Sequence, residues 1–217
     1  MGGVSEPADQ PEHARQARHD QAVAAFWADA RIRGKLNRIE VYAGAQVSDT
    51  LPPPAWSFGG EDDPQTADRL LGLVLAGRKT ATASAYREYE EEARSRAGAD
   101  TPDTRSSDTL TRTEVDLDLA LPEPGLLSII LDGSGHPRAL VRITDVEVCR
   151  FADVPAEHAR LEGEGDGSLQ HWRAVHREAF AANAPHGEPV TDDSLVVLER
   201  FEVLVPASAR RAARAHT

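Results

Sequence analysis

The chain has 217 residues, of which 40% are hydrophobic and only 5% aromatic, so a single domain with a lean aliphatic core is expected. Its formal net charge of −12 argues against salt-driven binding of duplex DNA, which needs many cations facing phosphates. The single Cys149 excludes an internal disulfide and a cysteine-based zinc site, and the lack of a long apolar run or secretory leader predicts a cytoplasmic protein without a membrane contact.

The N-terminal quarter of the chain predicts little regular structure beyond one helix. Residues 1–19 are polar and predict a disordered leader. Apolar residues recur on one face over 20–33, which predicts a helix that Gly34 can end. Residues 39–42 are a short strand candidate, so 20–54 is expected to form a helix followed by an extended segment.

The second predicted helix has the clearest end signals. Asp63 can cap it, Pro64 suits its first position and Gly77 suits its end. Its apolar face is formed by Ala67, Leu70, Leu71 and Val74. Lys79 follows at once, so it is expected at a joint between this helix and a strand over 80–85, in which hydroxyl residues alternate with alanines.

The remaining pattern predicts an α+β fold and not a doubly wound sheet, because helices and strands do not alternate. A charged helix from Tyr86 leads into a long polar segment, and we interpret about 88–120 as a flexible insertion. The later elements are strands at 126–131 and 139–148 joined by a hairpin, a helix from Pro155 to Leu161, a helix capped by Ser168, and a strand at 196–205. A frayed tail is expected over 207–217.

Lysine is rare in this chain. Only two of its 24 basic residues, Lys35 and Lys79, are lysines. Lysine can lose its proton inside a protein, and arginine cannot. A neutral Lys79 could activate Thr82 or a water for attack on a carbonyl. The alternative is a lysine that only covers the end of the preceding helix. Strict alternation puts Thr82 on the opposite face from Lys79, so cooperation requires a bend at the joint.

An acidic, glycine-rich segment follows the helix that starts at Pro155. Glu162, Glu164 and Asp166 resemble a calcium loop, but the twelfth position is Arg173 and not a bidentate glutamate. The glycines could let the backbone approach an anion, or the segment could be a solvated turn. Glu162 lies four residues after His158 and is expected to point inward.

Three aromatic residues could stack on bases, but a core role is the alternative for each of them: Trp56, Phe58 and Trp172. Histidines do not predict a zinc site. His171 and His176 do not share a helix face, and no third ligand accompanies the pair formed by His158 and Glu162.

Taken together, the motifs resemble the ASCH (activating signal cointegrator homology) domain family over roughly residues 55–205. The carrying motifs are Trp56-Ser57-Phe58-Gly59, Ala67-Asp68-Arg69-Leu70-Leu71, Gly77 to Ser84, Phe151 to Val154, and Glu162 to Asp166 with Ser168, Leu169, Trp172, Arg173 and His176. The resemblance implies a PUA-like domain over 55–206, a small mixed β-barrel with flanking helices and a cleft. Such folds bind nucleosides or single-stranded RNA.

The resemblance implies two activities. Small members hydrolyse the amide of N4-acetylcytidine, and their catalytic lysine, threonine and glutamate would correspond to Lys79, Thr82 and Glu162. Other members cleave single-stranded RNA with a divalent ion, so Mg²⁺ is expected only for that activity and no cofactor otherwise. A binding module without catalysis is the third alternative. The implied ligand-binding residues are Trp56, Phe58, Arg78, Thr80, Ser84, Ser168, Trp172, Arg173 and His176.

Overall fold

The computed structural model describes residues 10–36, 51–60, 63–99, 119–184 and 188–216. It confirms an α+β fold. The helices are α1 (Gln10–Arg33), α2 (Pro64–Leu75), α3 (Tyr86–Ala99), α4 (Ala156–Glu162), α5 (Leu169–Ala182) and α6 (Ala207–Ala215), with a 3-10 turn at Phe151–Asp153. The strands are β1 (Ala55–Trp56), β2 (Ala81–Ala85), β3 (Leu127–Leu131), β4 (Pro137–Arg150) and β5 (Leu195–Val205).

The described strands form one open sheet in the order β1-β3-β4-β5-β2. β1 runs parallel to β3, whereas β3 and β4 form an antiparallel hairpin and β2 is antiparallel to β5. Because β1 and β2 are the two ends of the sheet, the described strands do not close into the predicted small barrel. The strand predicted at 39–42 lies outside the described residues.

The chain divides into two compact units, and the first contains residues 1–80, 125–142 and 201–217. In this unit α2 has the predicted ends: the Asp63 carboxylate accepts a hydrogen bond from the Thr66 amide, and Gly77 adopts a φ of 72°. The predicted apolar face of α2 is buried. It packs in a core with Phe58, Ile130 and Val203.

Both ends of the chain are more ordered than predicted where the structure describes them. α1 begins at Gln10, inside the segment interpreted as a disordered leader, and its residues Val23 and Trp27 are buried against Leu140. The frayed tail predicted over 207–217 is wrong, because 207–215 form α6 and Ala209 is fully buried. The absence of a side chain at Gly77 lets α6 approach the α2 turn closely, since a Cβ on Gly77 would lie 2.1 Å from the Ala213 nitrogen.

The second unit contains residues 81–124 and 143–200. α3 continues directly from β2, and α4 packs against both β2 and α5. Phe151, Trp172 and Phe180 form the centre of its core with Ala85 and Leu198. Of the predicted insertion at about 88–120, the first part is helix α3, and 100–118 lie outside the described residues.

None of the helices that the structure describes has the length and apolar character to cross a membrane.

Candidate active site

In the first unit, Lys79 is buried at the joint after α2. The Arg78 and Lys79 amides both donate to the Leu73 carbonyl, at 2.9 and 3.2 Å, and draw the chain inward after the helix. The Lys79 side chain is 1% exposed, and its Nζ lies 5.3 Å from the centre of the Phe58 ring. Burial disfavours an ammonium, whereas a ring face stabilises it. Lys79 is therefore not an ordinary surface lysine.

The aromatic residues before α2 support this position. Trp56 and Phe58 meet edge to face, with ring centres 4.9 Å apart. Phe58 is buried in the core with Leu70 and Leu71, and Trp56 is half-buried against the same core. Both rings thus have the packing role that was the alternative to base stacking, and Phe58 also faces the Lys79 amine.

In the second unit, Glu162 is buried at the end of α4, as its spacing from His158 predicted. The Trp172 indole N–H donates to Oε1 of Glu162 at 2.7 Å, and Nε2 of His158 lies 3.1 Å from the same oxygen. Nε2 of His176 is 3.4 Å away. Because an indole nitrogen can only donate, the Trp172 contact is a hydrogen bond to an acceptor oxygen. The carboxyl group is therefore held in one orientation inside the unit and does not face a calcium loop.

His176 has its tautomer fixed by the backbone. Its Nδ1 lies 3.0 Å from the Trp172 carbonyl, which can only accept, so Nδ1 carries a proton. The imidazole stacks on the Trp172 ring, with centres 4.2 Å apart, and its Nε2 faces Glu162. In the described residues no cluster of three or more metal-binding side chains suits a metal ion.

A second polar cluster lies on β2 in the same unit. Thr82 and Ser84 share a face of the strand, and the Ser84 hydroxyl is 2.9 Å from the Tyr89 hydroxyl of α3. Glu199 on β5 is the direct cross-strand partner of Thr82. Burial raises the pKa of Glu199 to about 7. Burial and, to a smaller extent, the Glu199 charge raise the pKa of Tyr89 to about 12, while its hydrogen bond with Ser84 opposes the rise.

Several predicted ligand-binding residues have structural contacts. Ser168 caps α5 by accepting from the His171 amide, and the Arg173 guanidinium donates to the Ala152 carbonyl at 2.6 Å. The Thr80 carbonyl accepts from the Phe201 amide, whereas Arg78 is exposed. Ser168 and Arg173 are therefore committed at least in part to holding the fold.

The glycine-rich segment after α4 forms a turn and does not form a calcium loop. Gly163, Gly165 and Gly167 all have positive φ, at 66°, 54° and 72°, which glycine adopts without strain. Hydrogen bonds from the Ser168 side chain and then from the Ser168 amide lower the pKa of Asp166. This geometry favours the interpretation as a solvated acidic turn.

The structure thus groups the predicted residues into three clusters. Lys79 lies with Phe58 in the first unit, Glu162 lies with Trp172 and His176 in the second, and Thr82 lies beside Ser84 on β2. The prediction omitted three residues of these clusters: His158, Tyr89 and Glu199. The i, i+4 spacing pointed to His158, whereas no sequence pattern paired Glu199 with Thr82, because their contact depends on the register of two distant strands.

Comparison with known proteins identifies the same family as the motifs. The family model of the ASCH domain matches residues 54–103 and 105–205. A crystal structure of an Enterococcus faecalis protein assigned to DUF984 is 26% identical, with a TM-score of 0.58, over 86% of this chain and 92% of that one. An ASCH domain from Lactobacillus crispatus is 25% identical, with a TM-score of 0.54, over 79% of this chain and 94% of that one. No curated protein matches the chain.

Proposed function

The chain belongs to the ASCH domain family, and from this premise we propose that it hydrolyses the amide of N4-acetylated cytidine. The products are cytidine and acetate. Lys79, Thr82 and Glu162 are the proposed catalytic residues. The assignment rests on their places in the family motifs and on one observation above the others, which is the near-complete burial of Lys79.

Burial matters because an amine can take up a proton only in its uncharged form. Inside a protein the ammonium form loses its hydration, so a buried lysine is better suited to exchange protons than an exposed one. In the proposed reaction Lys79 takes a proton from Thr82 or from a water. The Phe58 ring below the amine stabilises the charge that then forms.

Glu162 has the orientation that a proton-transferring group needs. Its Oε1 is fixed by the Trp172 indole and faces two imidazoles, so little reorganisation accompanies a change of charge. We propose that Glu162 orients the lysine or the leaving amine. The kinetics of Lys79 and Glu162 variants test this role.

The direct test is turnover of N4-acetylcytidine by the intact protein, followed by mass spectrometry. Lys79→Met keeps the length and burial of the stem but removes the amine, and Lys79→Arg keeps the charge but cannot release a proton. We expect both variants to lose activity by about a hundred-fold or more. Thermal unfolding checks that they fold. Hydrolysis at the wild-type rate by a folded Lys79→Met variant would refute the proposal.

A second candidate function, binding of single-stranded RNA, is favoured by the arginines near the Lys79 joint. Arg78, Arg211 and Arg214 are exposed and have no carboxylate partner among the described residues, whereas Arg177 pairs with Asp192. Unpaired guanidinium groups suit phosphates. If they bind RNA, an Arg211→Gln, Arg214→Gln variant will bind a short oligonucleotide more weakly and with a smaller salt dependence. Ribonuclease activity with Mg²⁺ has no comparable support, because Arg173 and Arg177 are engaged within their own unit.

A further inference from the structure

We infer that Glu199 is the proton acceptor for the Thr82 hydroxyl. This inference rests on the proposed hydrolase function and refines it, because it separates the base that serves Thr82 from Lys79. Glu199 lies directly across from Thr82 in the antiparallel pair of β2 and β5. Side chains of directly opposite residues share a face of the sheet, with Cβ atoms about 4.5–5.5 Å apart. A carboxylate on that face can reach a threonine hydroxyl.

The surroundings of Glu199 leave its carboxyl group available. Glu199 is half-buried, and no described residue forms a hydrogen bond or an ion pair with it. The next residue, Arg200, points to the other face of β5, where it lies 4.0 Å from Asp145 of β4. A half-buried acid without a partner has a cost that a purely structural role does not explain.

The neighbouring hydroxyl groups form a polar strip around the pair. Ser84 lies two residues from Thr82 on the same face and is hydrogen-bonded to Tyr89 at 2.9 Å. The acids near Tyr89 are Glu199, Glu88 and Glu92, whereas Arg87 of α3 donates to the Phe180 and Glu188 carbonyls. Burial of the carboxyl group raises the pKa of Glu199 to about 7, which suits a general base in neutral solution.

The proposed step balances as an acyl transfer. The Glu199 carboxylate removes the Thr82 proton as Oγ1 attacks the acyl carbon, and the bond from carbon to the leaving group then breaks. With the cytidine amide, the leaving nitrogen takes the proton from Glu199 and departs as the amine, which leaves acetyl-threonine. A water then hydrolyses this ester to acetate and regenerates the Thr82 hydroxyl. Lys79 remains available to take a proton from the water that hydrolyses the acetyl-threonine ester.

The test uses p-nitrophenyl acetate with the full chain and measures acetylation of Thr82 by peptide mass spectrometry between pH 5 and 9. This readout does not require cytidine chemistry, so it separates the inference from the proposed function. We expect wild-type labelling to rise through about pH 7, as burial of Glu199 implies. Glu199→Gln, which has nearly the same shape, should label about a hundred-fold more slowly and lose that rise.

Matched variants make the outcomes decisive. Thr82→Val should show no label at this position, and Glu202→Gln, on the same strand but paired with Arg142, should label like the wild type. Equal rates and pH profiles for wild type and a folded Glu199→Gln variant would overturn the inference. So would a Thr82 that stays unlabelled both in the wild type and in Lys79→Met, which lacks the amine available for hydrolysis of the acetyl ester. Turnover of N4-acetylcytidine, measured in parallel, decides the proposed function independently.

Discussion

At the scale of single residues, the part of the chain that the structure describes buries a lysine and a glutamate, two residue types that most proteins expose. Lys79 and Glu162 are each 1% exposed, one in each compact unit. Buried charged groups destabilise a fold unless they are hydrogen-bonded or paired. For Glu162 the stabilising contacts include the hydrogen bond from the Trp172 indole at 2.7 Å.

Two buried tryptophans allow the contribution of this hydrogen bond to the free energy of unfolding to be measured. Trp172→Phe removes the donor from Glu162, and we expect about 1–3 kcal/mol of destabilisation beyond the loss of ring size, because a buried acceptor loses its partner. Trp27 is also buried, but its Nε1 has no hydrogen-bond partner among the described residues, so Trp27→Phe is the matched control. Urea unfolding of both variants gives the difference between their losses in free energy of unfolding. Equal losses would show that the indole contact contributes no stability.

At the scale of elements, the contact between the α2 turn and α6 holds the segment that carries Lys79. Gly77 needs its positive φ to end α2, and it also needs the space, because α6 passes directly over it. The same turn brings Arg78 and Lys79 back onto the Leu73 carbonyl. The order of α6 and the position of Lys79 are therefore linked within the first unit.

Two glycine variants test this link. Gly77→Ala places a methyl group 2.1 Å from the Ala213 nitrogen in a left-handed conformation, so we expect a loss of about 2–4 kcal/mol. Gly72→Ala, in the interior of α2 with nothing within 4 Å, should stabilise the protein by about 0.5–1 kcal/mol. Thermal unfolding measures both. A Gly77→Ala variant as stable as wild type would show that α6 does not constrain the turn.

Local signals explain which elements the sequence predicted well. Caps and periodicity placed α2, α4 and α5, because Asp63 and Ser168 act through neighbours three residues away. The prediction of a frayed tail was wrong for the opposite reason. Residues 207–215 contain only alanine, serine and arginine, so no large apolar side chain marks a buried face, and their helix packs against Gly77, a contact between residues distant in the chain.

At the scale of the whole molecule, the family motifs predicted the family and supplied the proposed catalytic residues, but they did not indicate the neighbours of Thr82. Glu162 and His158 could be paired from their spacing, since a helix repeats locally. Glu199 could not, because its register opposite Thr82 follows from the assembled sheet. The open order of the described strands was also beyond the sequence pattern, which identified strands but not which of them lie at the ends of the sheet.

The central claim is the proposal that Lys79 and Glu162 serve one reaction. A double-mutant cycle tests this claim most directly, with kcat/KM for N4-acetylcytidine measured for wild type, Lys79→Met, Glu162→Gln and the double variant. Residues that act as a unit are strongly non-additive. We predict that the double variant will be no more than about three-fold worse than the poorer single variant. Single-variant losses that multiply, or a folded Glu162→Gln variant with wild-type kcat/KM, would contradict the account.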